Sequence, residues 1–372
     1  MIVTARTGPA LRTEVVWLPH FGKQSMLQWQ RGNLNDLKLG GWLNAYSFRH
    51  SQLENWIGVI KETGSVLYEQ IWSPVCGQLQ ALGVLKGAEL IWFPQGGIGV
   101  FPVHAAWTTD GNGLQHWIAD DYAIRYAPSV KSLLHAAPER PVIDSLFMVL
   151  NPVGDLRFSP LESAWVRRSL ASRPSMLLPG PEATKGAVLE RFPSANAVHF
   201  ATHATFSVED PFASHIILAD GNLSLAELLL CLQKHAPAFV VLSACDTAVS
   251  RFTGTPDEFL GFPGAFLDHG TRTVLAAMWS VDDAATAFLI ARFYRELLAG
   301  NLTPAEALRR SQNWLRRLSV HDASDLLREL RSEPAPAGPF AAQLRSQLRG
   351  FDENLRPFAE PYYWAAFTIS GQ

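Results

Sequence analysis

Short apolar runs alternate with helical patterns along most of this sequence. Runs with few polar residues are typical of strands buried on both faces, and they lie at Ala88–Phe93, Ser145–Leu150, Ala197–Ala201, His215–Ala219, Ala238–Ala244 and Thr273–Trp279. Segments with helical spacing separate most of them. This alternation predicts an α/β fold with a mainly parallel sheet that helices cover on both faces.

Several helix starts are marked in the sequence. The segments S-P-L-E at 159–162 and S-L-A-E at 224–227 each have Ser followed three residues later by Glu, which predicts a capping box at both places. Thr303 begins a third helix in the same way. A fourth helix is predicted from Asp283, and Gly300 ends it.

Two regions are less regular. From residue 51 to 82 apolar positions recur at helical spacing, which predicts one long helix or two shorter ones interrupted at Gly64 or Pro74. The Pro- and Ala-rich segment 334–339 predicts a flexible insertion before a closing strand at Tyr362–Ile369.

Composition and charge exclude several classes of protein. The 372 residues are 48% hydrophobic with a net charge of −3, and no basic stripe indicates nucleic-acid binding. The N-terminus lacks the apolar core of a signal peptide, and no apolar run is long enough to span a bilayer, so we expect no membrane contact. Three widely spaced cysteines, Cys76, Cys231 and Cys245, indicate neither a disulfide scaffold nor a zinc site. We therefore expect a cytoplasmic protein without metal or organic cofactor.

Two predicted strands end on residues that can carry chemistry. The strand at 197–201 leads to His203, and the strand at 238–244 leads to Cys245. Because the carboxyl ends of parallel strands meet at one edge of a sheet, these side chains can come within hydrogen-bond reach, as thiolate activation requires. Both residues also have plainer interpretations, since a buried Cys is often a small core residue and a strand-end His often only packs.

Other candidates have structural interpretations beside the functional ones. We expect Cys231 to lie on the apolar face of a helix and His199 to pack inside its strand. Asp282 follows a buried strand and precedes a helix, so it can cap that helix or contact a substrate.

Ordered blocks around these residues resemble the bacterial-type CHAT domain family, whose members are related to caspases and separase. The resemblance extends from about Leu53 to Gly371, and its main blocks are the histidine block His199–His203, the cysteine block Leu242–Ala248, Ala277–Asp283 and Pro361–Phe367.

The resemblance implies a cysteine endopeptidase on a caspase-like, three-layer α/β sandwich. It implies an inactive caspase-like half at 51–180 and an active half at 181–372, after a β-rich lead-in at 1–50. In this interpretation Cys245 is the nucleophile and His203 is its base. A protein substrate and a regulatory protein partner are also implied, and a catalytically silent scaffold or interaction module is the alternative.

The oxyanion would accept hydrogen bonds from the backbone amides of Cys245 and Ala204. The family commonly has Gly where this chain has Ala204. If this position requires a positive φ, alanine there would destabilise the local conformation by about 1–2 kcal/mol.

Asp246, Asp282 and Asp283 are candidates for a substrate pocket. Since no Arg directly adjoins the cysteine block, we expect a basic or apolar residue, rather than aspartate, before the cut.

Overall fold

The computed structural model describes residues 1–7, 10–32, 41–129, 143–207, 210–243, 261–300 and 302–372. Two compact units form within them, one of residues 1–90 with 95–124 and the other of residues 91–94 with 125–372. The division predicted at residues 50 and 180 stays a prediction.

The N-terminal elements begin with an antiparallel hairpin, in which Ile2 lies opposite Val15. The β-rich character predicted for the lead-in is seen in this hairpin, while helices follow it in the described part of the lead-in. The elements are β1 (Ile2–Thr7), β2 (Ala10–Val15), α1 (Lys23–Arg31), α2 (Trp42–Ser47), α3 (Leu53–Leu67), α4 (Ser73–Ala81), β3 (Glu89–Trp92), β4 (Trp107–Thr109), β5 (Gln115–Trp117) and α5 (Ile118–Asp121).

The helical pattern at 51–82 gives two helices, but the interruption lies elsewhere than predicted. A π-helical turn at Tyr68–Trp72 separates α3 from α4. Gly64 lies inside α3, where a Cβ would lie 2.6 Å from the carbonyl oxygen of Ala105. Glycine therefore permits close packing here and does not end the helix.

The later elements alternate between strands and helices, as the sequence predicts. They are β6 (Ala123–Tyr126), β7 (Leu146–Leu150), α6 (Ser159–Leu170), β8 (Ser175–Pro179), α7 (Lys185–Arg191), β9 (Ala197–Ala201), β10 (Ala204–Thr205), β11 (His215–Leu218), β12 (Gly221–Ser224), α8 (Leu225–Leu232), β13 (Phe239–Leu242), α9 (Phe262–Asp268), β14 (Thr273–Ala277), α10 (Asp283–Leu298), α11 (Pro304–Arg317), α12 (Val320–Glu329), α13 (Ala337–Leu348), α14 (Pro361–Trp364) and β15 (Phe367–Gly371).

A mainly parallel sheet is the centre of the fold. Within the described residues it has eight strands in the order β3-β6-β15-β14-β13-β9-β7-β8. The strands from β14 to β8 run parallel, while β15 is antiparallel to β14. Every residue of β7, β9, β13, β14 and β15 is buried. Because successive side chains of a strand point to opposite faces, both faces of the sheet are covered.

The C-terminal segment differs from its prediction at two places. Helix α13 begins at Ala337, within the segment predicted as a flexible insertion. Pro339 is compatible with it because N–H groups of a first helical turn have no partner in the helix. The closing strand begins at Phe367 rather than Tyr362, since Pro361 starts the short helix α14.

None of the helices in the described ranges is both long and apolar enough to cross a membrane.

Candidate active site

The two strands that lead to the predicted catalytic residues are parallel neighbours. In the register of β9 and β13, Phe200 lies opposite Leu242. His203 follows Phe200 by three residues, and in the sequence Cys245 follows Leu242 by three residues. The two strands are neighbours, as an interaction between His203 and Cys245 requires. Cys245 itself and Asp246 lie outside the described residues.

His203 is paired with an acid that the sequence analysis did not select. Its Nε2 lies 2.9 Å from Oδ1 of Asp155, and the His203 side chain is 30% exposed. A carboxylate at one ring nitrogen fixes the orientation of an imidazole and favours its charged form. One signal could have found Asp155, because it lies just beyond the carboxyl end of β7, the strand beside β9.

The loop that carries Asp155 is held by its own hydrogen bonds. Asn151, with φ of 47°, accepts hydrogen bonds through Oδ1 from the backbone N–H groups of Gly154 and Leu156. Its backbone N–H donates to the carbonyl oxygen of Ala201 at the end of β9. These bonds connect the loop with the strand that leads to His203.

Asp283 fixes the other end of this loop. Its Oδ2 accepts a hydrogen bond of 2.7 Å from the backbone N–H of Phe158. The pKa of the Asp283 carboxyl is raised to about 6, mainly by burial and also by the nearby acids Glu162 and Asp282, against the opposing effects of the Phe158 N–H and His203. Asp283 therefore changes its charge near pH 6, within the pH range in which many enzymes work.

Asp282 caps helix α10. Its Oδ1 accepts a hydrogen bond of 2.9 Å from the backbone N–H of Ala285. This geometry confirms the capping interpretation. A substrate contact by Asp282 stays a prediction.

Ala204 is not strained. It belongs to β10 and pairs with Ile216. Among the described residues, only Asn151 and Ala171 combine a positive φ with a side chain. The cost considered for Ala in place of Gly therefore does not arise.

The capping box predicted at 159–162 is wrong. Phe158 is the residue before α6, and no side chain caps this helix. Glu162 is instead buried, with Oε1 2.9 Å from Nε2 of His199 and 2.9 Å from Oγ of Ser243. Neighbouring helices and strands leave Glu162 only 1% exposed, so its carboxyl bonds across the fold rather than to its own helix.

A small cavity lies at the carboxyl ends of the central strands. Its volume is about 30 Å³, enough for water. The polar residues that line it are Ser159, Glu162, Thr202, Ser243, Asp283 and Thr286. Polar side chains therefore lie at the edge of the sheet where β9 leads to His203.

The two described cysteines have little thiolate character. Burial raises the pKa of Cys76 to about 11 and also raises the pKa of Cys231. Cys231 is half-buried, less than the core position expected. Neither is an activated nucleophile.

Comparison with known proteins places the chain in a family. The sequence profile of the CHAT domain matches residues 61–372. The chain belongs to the CHAT domain family. This CHAT domain has the predicted α/β fold class with its mostly parallel sheet, whereas an inactive first half stays a prediction.

No curated protein gives a significant match to this CHAT domain. Among solved structures, one of the Saccharomyces cerevisiae separase–securin complex aligns with 98% of this chain and 21% of that chain, with 16% identity and a TM-score of 0.44. The Arg-specific cysteine proteinase gingipain R aligns with 93% of this chain and 72% of that chain, with 10% identity and a TM-score of 0.41. The chain thus spans about a fifth of the separase chain.

Proposed function

We propose that this CHAT domain is a cysteine endopeptidase in which Cys245 is the nucleophile and His203 is the base. The observation that supports it best is the register of β9 and β13, because Phe200 lies opposite Leu242 and each candidate residue follows three positions later. Parallel neighbouring strands that end together bring such residues to the same edge of a sheet.

The reaction begins when His203 accepts the thiol proton of Cys245. The thiolate then attacks the carbonyl carbon of a peptide bond, and the oxyanion accepts hydrogen bonds from the amides of Cys245 and Ala204. One such donor contributes about 2.7–4 kcal/mol in comparable sites. The leaving amine takes the proton from His203 as the C–N bond breaks. Water, deprotonated by His203, hydrolyses the thioester and regenerates the thiol.

Asp155 acts as a positioning residue in this scheme. Its carboxylate is 2.9 Å from Nε2 of His203, so we assign the exchange of the thiol proton to Nδ1. The charge of Asp155 also stabilises the imidazolium that forms when the thiol loses its proton. The arrangement is a nucleophile, a base and an acid that orients the base.

The charges around His203 favour a basic residue before the cut. Asp155 contacts the imidazole, Asp283 lines the cavity, and the electrostatic effect of His203 on the pKa of Asp283 shows that the two are close. A Lys or Arg side chain gains from such surroundings, whereas aspartate is repelled. The sequence predicted a basic or an apolar substrate residue before the cut, and these charges favour the basic one.

The proposal also includes a protein substrate and a regulatory protein partner, both of which the family resemblance implies. A catalytically silent interaction module is the alternative.

Labelling with a peptide that carries a thiol-reactive acyloxymethyl ketone and a basic residue tests the proposal. We expect labelling of the wild type, loss of labelling in Cys245→Ala and in His203→Ala, and unchanged labelling in Cys231→Ala. Cys231 is the matched control because its thiol is half-buried on α8. Labelling that survives Cys245→Ala would overturn the assignment, and a wild type that neither reacts nor cleaves peptides would favour the interaction module.

A further inference from the structure

A buried polar cluster connects the two strand ends of the candidate site. It consists of Glu162 on α6, His199 on β9, Ser243 just after β13 and Tyr294 on α10. Glu162, His199 and Tyr294 are 1%, 0% and 0% exposed. Ser243 is the residue at which β13 leaves the sheet, two positions before Cys245.

The hydrogen bonds of the cluster converge on Ser243. Its hydroxyl is 2.9 Å from Oε1 of Glu162 and 2.8 Å from Nε2 of His199. It is also 3.3 Å from the carbonyl oxygen of Phe200, on the strand that leads to His203. One side chain therefore contacts the ends of both strands.

A single set of proton positions satisfies these atoms. Burial keeps the pKa of Tyr294 well above its ordinary value, so its hydroxyl can donate to Nδ1 of His199 across 3.4 Å. His199 then carries its proton on Nε2 and donates to Ser243 and Glu162. Ser243 in turn donates to Glu162, whose Oε1 accepts both hydrogen bonds. The rings of His199 and Tyr294 stack with centroids 5.7 Å apart, which holds the imidazole in place.

Stability alone gives no reason for such a cluster. Burying a carboxyl group and an imidazole is costly, and apolar side chains of similar volume often serve a core as well or better. A fully satisfied buried network does, however, fix one arrangement of the chain. Here the arrangement that it fixes is the end of β13.

We propose that Ser243, held by Glu162 and His199, is a positioning residue that directs the chain from β13 to Cys245 so that the thiol meets His203. This inference rests on the proposed cysteine peptidase function. Without the Ser243 hydroxyl, β13 still pairs with β9, but nothing in the cluster fixes the first residue beyond the strand.

The test compares Ser243→Ala, Ser243→Thr and Ser311→Ala. Threonine keeps the hydroxyl, and its extra methyl group can enter the cavity that Ser243 lines. Ser311 is the matched control, because its buried hydroxyl donates within α11 to the carbonyl oxygen of Ala307. The measurements are kcat and KM on a basic peptide substrate, and the rate at which iodoacetamide alkylates Cys245, followed by mass spectrometry with Cys231 as the internal reference.

We expect Ser243→Ala to lower kcat and the alkylation rate of Cys245 by about tenfold or more, with KM changed less than about twofold, because a misplaced thiol loses rate rather than affinity. Ser243→Thr should recover most of both rates, and Ser311→Ala should leave them unchanged. If Ser243→Ala does not fold, Glu162→Gln provides the comparison with the same expected losses.

The inference is overturned if Ser243→Ala, or Glu162→Gln in its place, keeps the wild-type rates, or if Ser243→Thr is as impaired as Ser243→Ala. Failure of the proposed function gives a different result. A wild type that cleaves no peptide defeats the peptidase, while the alkylation rates of Cys245 still show whether Ser243 positions it.

Discussion

Asp155 Oδ1 lies 2.9 Å from His203 Nε2, although 48 positions separate the two residues in the sequence. The contact depends on the parallel pairing of β7 with β9, which brings the ends of the two strands together. The side-chain oxygens of Asn151 and Asp283 then hold the loop that carries Asp155, because they accept hydrogen bonds from backbone N–H groups of that loop. The base of the proposed dyad therefore has an acid that orients it.

Replacement of Asp155 by Asn should slow peptide cleavage. The amide is neutral and can present its N–H₂ group to the imidazole, so it neither stabilises the imidazolium nor selects the same tautomer. We expect kcat to fall about ten- to hundredfold, with little change in the melting temperature, since the Asp155 side chain is 57% exposed.

Asp325 provides the control for this substitution. It is an exposed acid on α12 that lies near His321 and pairs with Arg328. Asp325→Asn should leave kcat unchanged. Equal rates for Asp155→Asn and the wild type would show that Asp155 does not orient the base.

Replacement of Asp283 by Asn should change the pH dependence of stability. The pKa of this carboxyl is about 6 in the folded state and 3.8 ordinarily, so the folded state holds the proton more tightly. Its contribution to the free energy of unfolding is therefore present below about pH 4 and is lost as the pH rises through about 6. Asn keeps an acceptor for the Phe158 N–H and does not ionise.

Urea unfolding at several pH values measures this effect. Relative to the wild type, Asp283→Asn should gain about 2–3 kcal/mol of unfolding free energy between pH 4 and pH 7. A difference between the two proteins that stays constant over this range would contradict the raised pKa.

Replacement of Asp282 by Ala should destabilise the fold without changing specificity. Loss of the hydrogen bond to the Ala285 N–H costs about 1 kcal/mol, as for other N-cap residues. Asp282→Asn keeps an N-cap acceptor and should be close to the wild type. A changed cleavage-site preference at unchanged melting temperature would show that Asp282 contacts the substrate instead.

A peptide library varied at the residue before the cut should show a preference for Lys or Arg. Asp155 and Asp283 make the described surroundings of His203 acidic, and a carboxylate there would be repelled. Preferred cleavage after aspartate would reverse this inference. Arg251, which lies outside the described residues, would then be the first residue to substitute.

The buried strands could be predicted from the sequence because their apolar composition alone identifies them. A run such as Leu146–Leu150 is apolar at every position, and only a strand covered on both faces buries all of it. The pattern also indicated that β9 and β13 end at one edge of the sheet, since parallel strands of an α/β sheet do so, but only the structure showed that they are neighbours. The sequence could not indicate that β15 would enter antiparallel between β14 and β6, because strand order depends on contacts between distant segments.

Two similar segments show where the sequence suffices and where it does not. Ser224 and Glu227 form the predicted capping box, in which each side chain bonds the other residue's backbone N–H, because both lie at a partly exposed helix end where the Glu227 carboxylate accepts from Lys185 without leaving the cap. Glu162 has the same spacing from Ser159, but packing places its carboxyl beside His199 and Ser243. The sequence alone determined the buried strands of the sheet, and with the family resemblance it indicated the two residues proposed for catalysis. Tertiary structure decided which polar side chains support them, because a buried carboxyl bonds whatever donors the fold brings within reach.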